Sequence, residues 1–133
     1  MPPLPPDLPP PALEVFYSPT CTPCRLELPA LSLLARDGTR IRIVLLDQEE
    51  RARAELRAVS PMLETAAVGP PAAAPRDVLR AAGNANGILP FARAVAADET
   101  ACATWSGGLT VERARTMLAA CARIVSAPRR ARP

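Results

Sequence analysis

Cys21 and Cys24, separated by Thr22 and Pro23, are the residues whose type and spacing point most directly to chemistry. A CxxC of this kind serves as a redox dithiol, as half of a zinc site, or as a short structural disulfide. Its surroundings favour the first. Leu13 to Tyr17 is a short apolar run that reads as a buried strand, and Arg25 to Arg36 carries Leu28, Leu31, Leu34 and Ala35 at helical spacing. A CxxC between strand and helix sets Cys21 at the helix N-terminus, where unpaired backbone N–H groups and the positive dipole end favour a thiolate. The thiolate is the nucleophilic form of cysteine. Cys24, one turn further in, is placed to attack a mixed disulfide on Cys21 and release the bound thiol. Pro23 takes a first-turn position that needs no amide donor, and it narrows the geometries open to the pair. Zinc would have to recruit Cys102 and Cys121 from distant elements, neither of them in a second CxxC, so no metal is expected. A purely structural disulfide stays open as the blander use of the pair.

Composition removes other chemistries. The chain has no histidine, which excludes Ser-His-Asp and Cys-His catalysis, His-bound zinc or haem, and imidazole pH sensing. All 16 basic residues are arginine, a bias characteristic of GC-rich bacterial coding sequence. The net charge of +3 equals the three arginines of the tail, Arg129, Arg130 and Arg132, so the remaining chain is neutral and carries no nucleic-acid footprint. No run of eighteen apolar residues is present and Met1 is not followed by a signal-peptide pattern, so neither a membrane span nor an export signal is expected within this sequence.

The 133 residues suffice for one domain with one real core. Seven of the first eleven residues are proline, which precludes helix and favours an extended linker over residues 1–11. Residues 127–133 read as a flexible Arg/Pro-rich tail, leaving 12–126 as the folded unit. Within it, Pro29 should kink the first helix, and Ile41 to Leu46 reads as a second strand. Asp47 and Glu50 form a capping-box-like start for a helix through Val59. Glu64 to Val68 is expected as a short strand and Arg76 to Ala82 as a short helix, stopped by Gly83 and the Asn84-Ala85-Asn86-Gly87 turn. Phe91 to Ala96 and Ala101 to Trp105 form a hairpin, and a last helix from about Thr110 carries Val111, Ala114, Met117, Leu118 and Cys121 on one stripe. The order βαβα, an extra element, then ββα predicts an α/β protein with a central mixed sheet between helices.

With these residues in place, the sequence resembles the thioredoxin superfamily, and within it the TlpA/ResA-type thiol-disulfide oxidoreductases. The likeness covers most of residues 12 to 125. It rests on Phe16 and Tyr17 before the motif, on Cys21-Thr22-Pro23-Cys24 itself, on Pro29, on Leu89-Pro90 and on Gly107-Gly108 before the final helix. The resemblance implies a thioredoxin-like fold with a strand and helix, here Glu64 to Ala82, inserted between the second helix and a cis-proline loop. It implies that Leu89-Pro90 is that loop, where the backbone of Leu89 pairs with an extended substrate beside Cys21, Thr22 and Pro23. It also makes Glu27 a carboxylate that tunes the cysteines, against the plainer reading of a solvated residue in the helix's first turns. Thr20 in place of a tryptophan and Val15 in place of a buried aspartate depart from the pattern, the latter removing one proton acceptor for Cys24.

The expected activity is reduction of protein disulfides by a monomer that needs no cofactor and takes electrons from an upstream donor. The Thr-Pro dipeptide offers no cation to push the Cys21 pKa far down, which argues against a strong oxidant. The resemblance implies work outside the cytoplasm, often on apocytochromes or copper-site proteins. The alternative is a binding or adaptor module that keeps the CxxC as scaffold or metal holder and turns nothing over. Cys102 and Cys121 are expected to stay unpaired, because a sheet-to-helix separation of about 10 Å exceeds the Cα limit of a disulfide.

Overall fold

The structure is a computed structural model and describes residues 10–126, so residues 1–9 of the Pro-rich extension and the tail at 127–133 lie outside the described residues. Five strands form one sheet: β1 (Ala12–Tyr17), β2 (Arg40–Leu45), β3 (Ala67–Val68), β4 (Phe91–Val95) and β5 (Ala101–Ser106). Their order across the sheet is β3-β2-β1-β4-β5. β1, β2 and β3 run parallel, while β4 is antiparallel to β1 and β5 antiparallel to β4. Among the described residues six helices flank the sheet: α1 (Thr22–Leu26), α2 (Leu28–Arg36), α3 (Glu49–Val59), α4 (Pro61–Thr65), α5 (Pro75–Ala81) and α6 (Val111–Ser126).

The period-2 alternation of β1 divides the core. Leu13, Val15 and Tyr17 join Leu28, Leu31 and Leu34 of α2, Leu56 of α3, Leu63 of α4 and Met117 of α6 on one face. Phe16 turns to the other face, with Val44, Phe91 and Leu79 of α5. A central strand buried on both sides needs apolar residues on both faces, and β1 has them at every position but Glu14. Leu31 and Leu34 have no exposed surface, and truncating either to alanine should cost about 2–5 kcal/mol.

Glu14, the polar residue in this central strand, is 4% exposed. Its cross-strand neighbours are Arg42 on β2 and Arg93 on β4, and both guanidinium groups bond its carboxylate. Arg42 Nη1 and Nη2 also reach Glu99 at 3.1 and 2.7 Å, which holds the Glu99 carboxyl below its ordinary range.

Four expectations need correction. The first helix begins at Thr22 and is two segments meeting at Glu27, because Pro29 has no N–H to continue the ladder and its ring crowds the preceding turn. The Asp47/Glu50 capping box does not form. Gln48 is the N-cap of α3, in the left-handed region at φ 47° and without a side-chain cap, while Asp47 is engaged elsewhere. Glu64 and Thr65 belong to α4 and only Ala67–Val68 is strand; Ser60-Pro61 stops α3 but also starts a helix, with Ser60 Oγ accepting from the Met62 amide at 3.2 Å.

Finally, Cys102 and Cys121 form a disulfide, with Cα atoms 5.0 Å apart. The β4–β5 register runs Ala94↔Ala103 and then Val95↔Ala101, so Cys102 is the extra residue of a β-bulge. Regular alternation would turn Cys102 away from Ala103; the bulge re-aims it onto the α6 face, where Cys121 is buried. The 10 Å spacing holds for a regular strand under a helix and not for a bulged edge strand lined by alanines.

Candidate active site

The carboxyl ends of β1 and β2 are paired in register at Tyr17 and Leu45, so the segments that follow them must meet. Ser18 Oγ donates to Asp47 Oδ1 at 2.8 Å and accepts from the Thr20 amide at 3.3 Å. The Cys21 amide donates to the Ser18 carbonyl at 3.0 Å, closing the turn that delivers the cysteine. Cys21 is the extended N-cap of α1, at φ −92° and ψ 100°, and its Sγ lies 3.2 Å from the Cys24 amide.

Cys21 and Cys24 are joined in a disulfide with Cα atoms 5.2 Å apart. Their environments differ. Cys24 is 1% exposed and belongs to the main core, whereas Cys21 is half-buried and opens onto a groove of about 520 Å³. Thr22, Pro23 and Leu89 line the same groove, so four of the residues singled out in sequence converge there. The Leu89-Pro90 peptide bond is cis. Pro90 itself is not a lining residue; its carbonyl accepts from the Gly107 amide at 3.3 Å, which ties this loop to the turn before α6.

Glu27 lies apart from the groove. It is 5% exposed, and its Oε1 accepts from the Leu109 amide at 2.8 Å. Burial pushes its pKa up to about 7, opposed by that backbone hydrogen bond. The solvated-carboxylate reading is therefore wrong for Glu27, which sits one turn beyond Cys24 in the joint between α1 and α2.

The groove also contains residues that sequence reasoning missed: Asp47, Leu46, Leu79, Arg76 and Gly87. Asp47 was legible in principle, since a polar residue just past the end of a parallel strand neighbours the corresponding position after the next strand. Arg76 was not, because its place depends on how α5 returns over the sheet. On the other side of α1, Tyr17, Arg25, Leu26, Glu55 and Val59 line a second, smaller groove of about 400 Å³. Tyr17 Oη donates to Glu55 Oε1 at 2.5 Å, and burial together with that carboxylate moves the phenol above its ordinary range.

Among the described residues no cluster of His, Cys, Asp or Glu is placed to hold a metal ion, and no helix is long and apolar enough to cross a membrane.

A βα unit carrying a CxxC at its turn, a parallel β2, and a β-hairpin followed by α6 define a thioredoxin-like fold. Solved structures agree. The chain is similar to a thioredoxin-related protein from Neisseria meningitidis serogroup B, at 21% identity over 85% of each chain with a TM-score of 0.68. It is similar to the thioredoxin domain of a thiol-disulfide oxidoreductase from Bacteroides vulgatus, at 20% identity over 80% of this chain and 76% of that one, TM-score 0.54. It is also similar to a secreted Mycobacterium tuberculosis disulfide oxidoreductase homologous to Escherichia coli DsbE, at 15% identity over 84% and 80% of the two chains, TM-score 0.54. No family model matches the chain, and no curated protein matches it.

Proposed function

We propose that the protein is a thiol-disulfide oxidoreductase that reduces protein disulfides through Cys21 and Cys24. The observation that carries this reading is the unequal exposure of a bonded CxxC pair: one sulfur lines an open groove and the other is sealed in the core. In the dithiol form, the Cys21 thiolate attacks one sulfur of a substrate disulfide. A Cys21–substrate mixed disulfide forms and the first substrate thiolate leaves, taking a proton. Cys24, deprotonated, then attacks Cys21 Sγ, forms the Cys21–Cys24 disulfide and expels the second substrate thiolate. Two electrons pass from the protein to the substrate, and a dithiol donor must restore the pair. Thr22, Pro23, Leu89 and the neighbouring Pro90 form the substrate-binding surface, with an extended segment lying along the Leu89 backbone. Glu27 tunes the pair as a positioning residue in the adjoining joint.

A strongly oxidising role is disfavoured, since neither residue between the cysteines is cationic. The Cys102–Cys121 bond fits a chain that works in an oxidising compartment, in keeping with the extracytoplasmic setting of the family it resembles. The fold alone does not establish turnover. The test is reduction of a fluorogenic peptide disulfide with excess dithiothreitol as donor: catalysis by the wild type and none by Cys21→Ser supports the reading, whereas binding without turnover would indicate an adaptor.

A further inference from the structure

Arg76 lines the same groove as Cys21 and is exposed. Among the described residues most arginines are committed: Arg42 and Arg93 to Glu14, Arg25 and Arg51 to Glu55, Arg53 to Glu49, Arg57 to Glu64, Arg115 to Asp37, Arg40 to the Pro10 carbonyl, and Arg113 stacks 3.9 Å over Trp105. Arg76 has no ion pair or side-chain hydrogen bond among the described residues, and neither has Arg80, one turn along α5. Its stem is nonetheless held. A β-carbon on Gly87 would lie 2.8 Å from Arg76 Cγ, so the Asn84-Gly87 turn closes on this side chain only because position 87 is glycine, at φ +63°. An unpaired cation thus lines the groove onto which a candidate nucleophile opens, at a position that local backbone packing defines.

Other charges bear on the groove. Asp47 lines it too, but its carboxylate is half-buried and takes the Ser18 hydroxyl, which leaves it less free to meet an incoming chain. Asp77 follows Arg76 on α5 and is not among the lining residues. The net free charge presented by the α5 wall is positive.

We propose that Arg76 is a specificity-determining residue that selects substrates carrying an aspartate or glutamate next to the disulfide cysteine. This deepens the exchange reading and rests on it. A substrate segment seated along Leu89, with its sulfur at Cys21, passes the α5 wall with a flanking side chain, and a carboxylate there meets an unpaired guanidinium. Charge complementarity of this kind acts on encounter and orientation, so it appears in kcat/KM and weakens with salt.

The experiment uses the pre-reduced full chain and three disulfide-linked peptides, identical except for Asp, Asn or Lys beside the cysteine. The expected result for the wild type is Asp above Asn above Lys, with about tenfold between the extremes at low salt, closing toward equality at about 0.5 M salt. Arg76→Gln should lose most of the spread and Arg76→Glu should reverse it. Gly87→Ala, which displaces the Arg76 stem, should narrow it as well. Equal rates for the three peptides in the wild type, a preference for Lys, or a spread that survives in Arg76→Gln would each overturn the assignment while leaving exchange itself intact. Failure of the wild type to reduce even the Asn peptide would instead remove the exchange reading, and this inference with it.

Discussion

The amide of Leu109 donates to the buried carboxylate of Glu27 at 2.8 Å, joining residues 82 apart in sequence. Leu109 stands between the Gly107-Gly108 turn and α6, and Glu27 is the joint between α1 and α2. The bond therefore fastens the CxxC helix to the last element of the fold. It also gives the carboxylate a partner in the core and partly offsets the burial that raises its pKa.

That raised pKa sets a pH dependence. Unfolded, Glu27 ionises near 4.5; folded, near 7. Between these values the folded state holds a proton that the unfolded state has lost, so stability is greatest below about pH 4.5 as far as this group is concerned and declines through about pH 7. The contribution is on the order of a few kcal/mol. Urea denaturation at intervals from pH 4 to 8 should show the decline in the wild type and a flatter profile in Glu27→Gln. Identical profiles would mean that folding leaves the Glu27 pKa unshifted.

The same carboxylate should act on the thiols. A negative charge one turn beyond Cys24 disfavours a second anion nearby, so ionised Glu27 raises the apparent thiol pKa. Titrating Cys21 by its thiolate absorbance should give a lower pKa in Glu27→Gln than in the wild type. Coincident curves would leave the tuning to the helix dipole alone.

The Cys102–Cys121 bond closes a loop with a sequence separation of 19, which contains Gly107, Gly108 and Leu109. A loop of that size corresponds to about 3 kcal/mol of stabilisation in the chain-entropy account. The double substitution Cys102→Ala with Cys121→Ala should lower the free energy of unfolding by about 2–4 kcal/mol while the Cys21–Cys24 pair remains oxidisable. Thiol counting and urea melts on the same samples read both. An undiminished stability would show that the bond adds nothing to the fold.

Glu14 holds Arg42 and Arg93 from the strands on either side. Removing it leaves Arg93, partly buried, without its partner and Arg42 with Glu99 alone, so Glu14→Ala should destabilise by about 3 kcal/mol. A loss below about 1 kcal/mol would show that water satisfies Arg93, and Glu99 alone satisfies Arg42, at little cost.

Much of this fold was legible because apolar periodicity is a local property. The runs of Leu13 to Tyr17 and Ile41 to Leu46 each announce a strand within one residue of its ends, and the leucines of α2 and the stripe of α6 announce the buried faces of their helices. The CxxC was equally plain, since its spacing and flanking elements are contiguous. What stayed hidden depends on register and return. The bulge at Cys102 is set by the pairing of β4 with β5, and no single strand carries its signature. The Glu14 cluster requires three strands in register, and Glu27 reads as a first-turn carboxylate until Leu109 is known to cover it. Asp47 looked like a helix cap because caps and loop ties use the same short acceptor; only the adjacent end of β1 shows which use prevails.

The most direct test of the central claim is trapping. Cys24→Ser, pre-reduced and mixed with a disulfide-bonded peptide, should accumulate a covalent adduct that mass spectrometry maps to Cys21, because the residue that would release it is gone. Cys21→Ser should accumulate none, since the remaining thiol at Cys24 is 1% exposed. An adduct on Cys24 in Cys21→Ser, with Cys24→Ser unreactive, would contradict the assignment of roles and the groove built upon it.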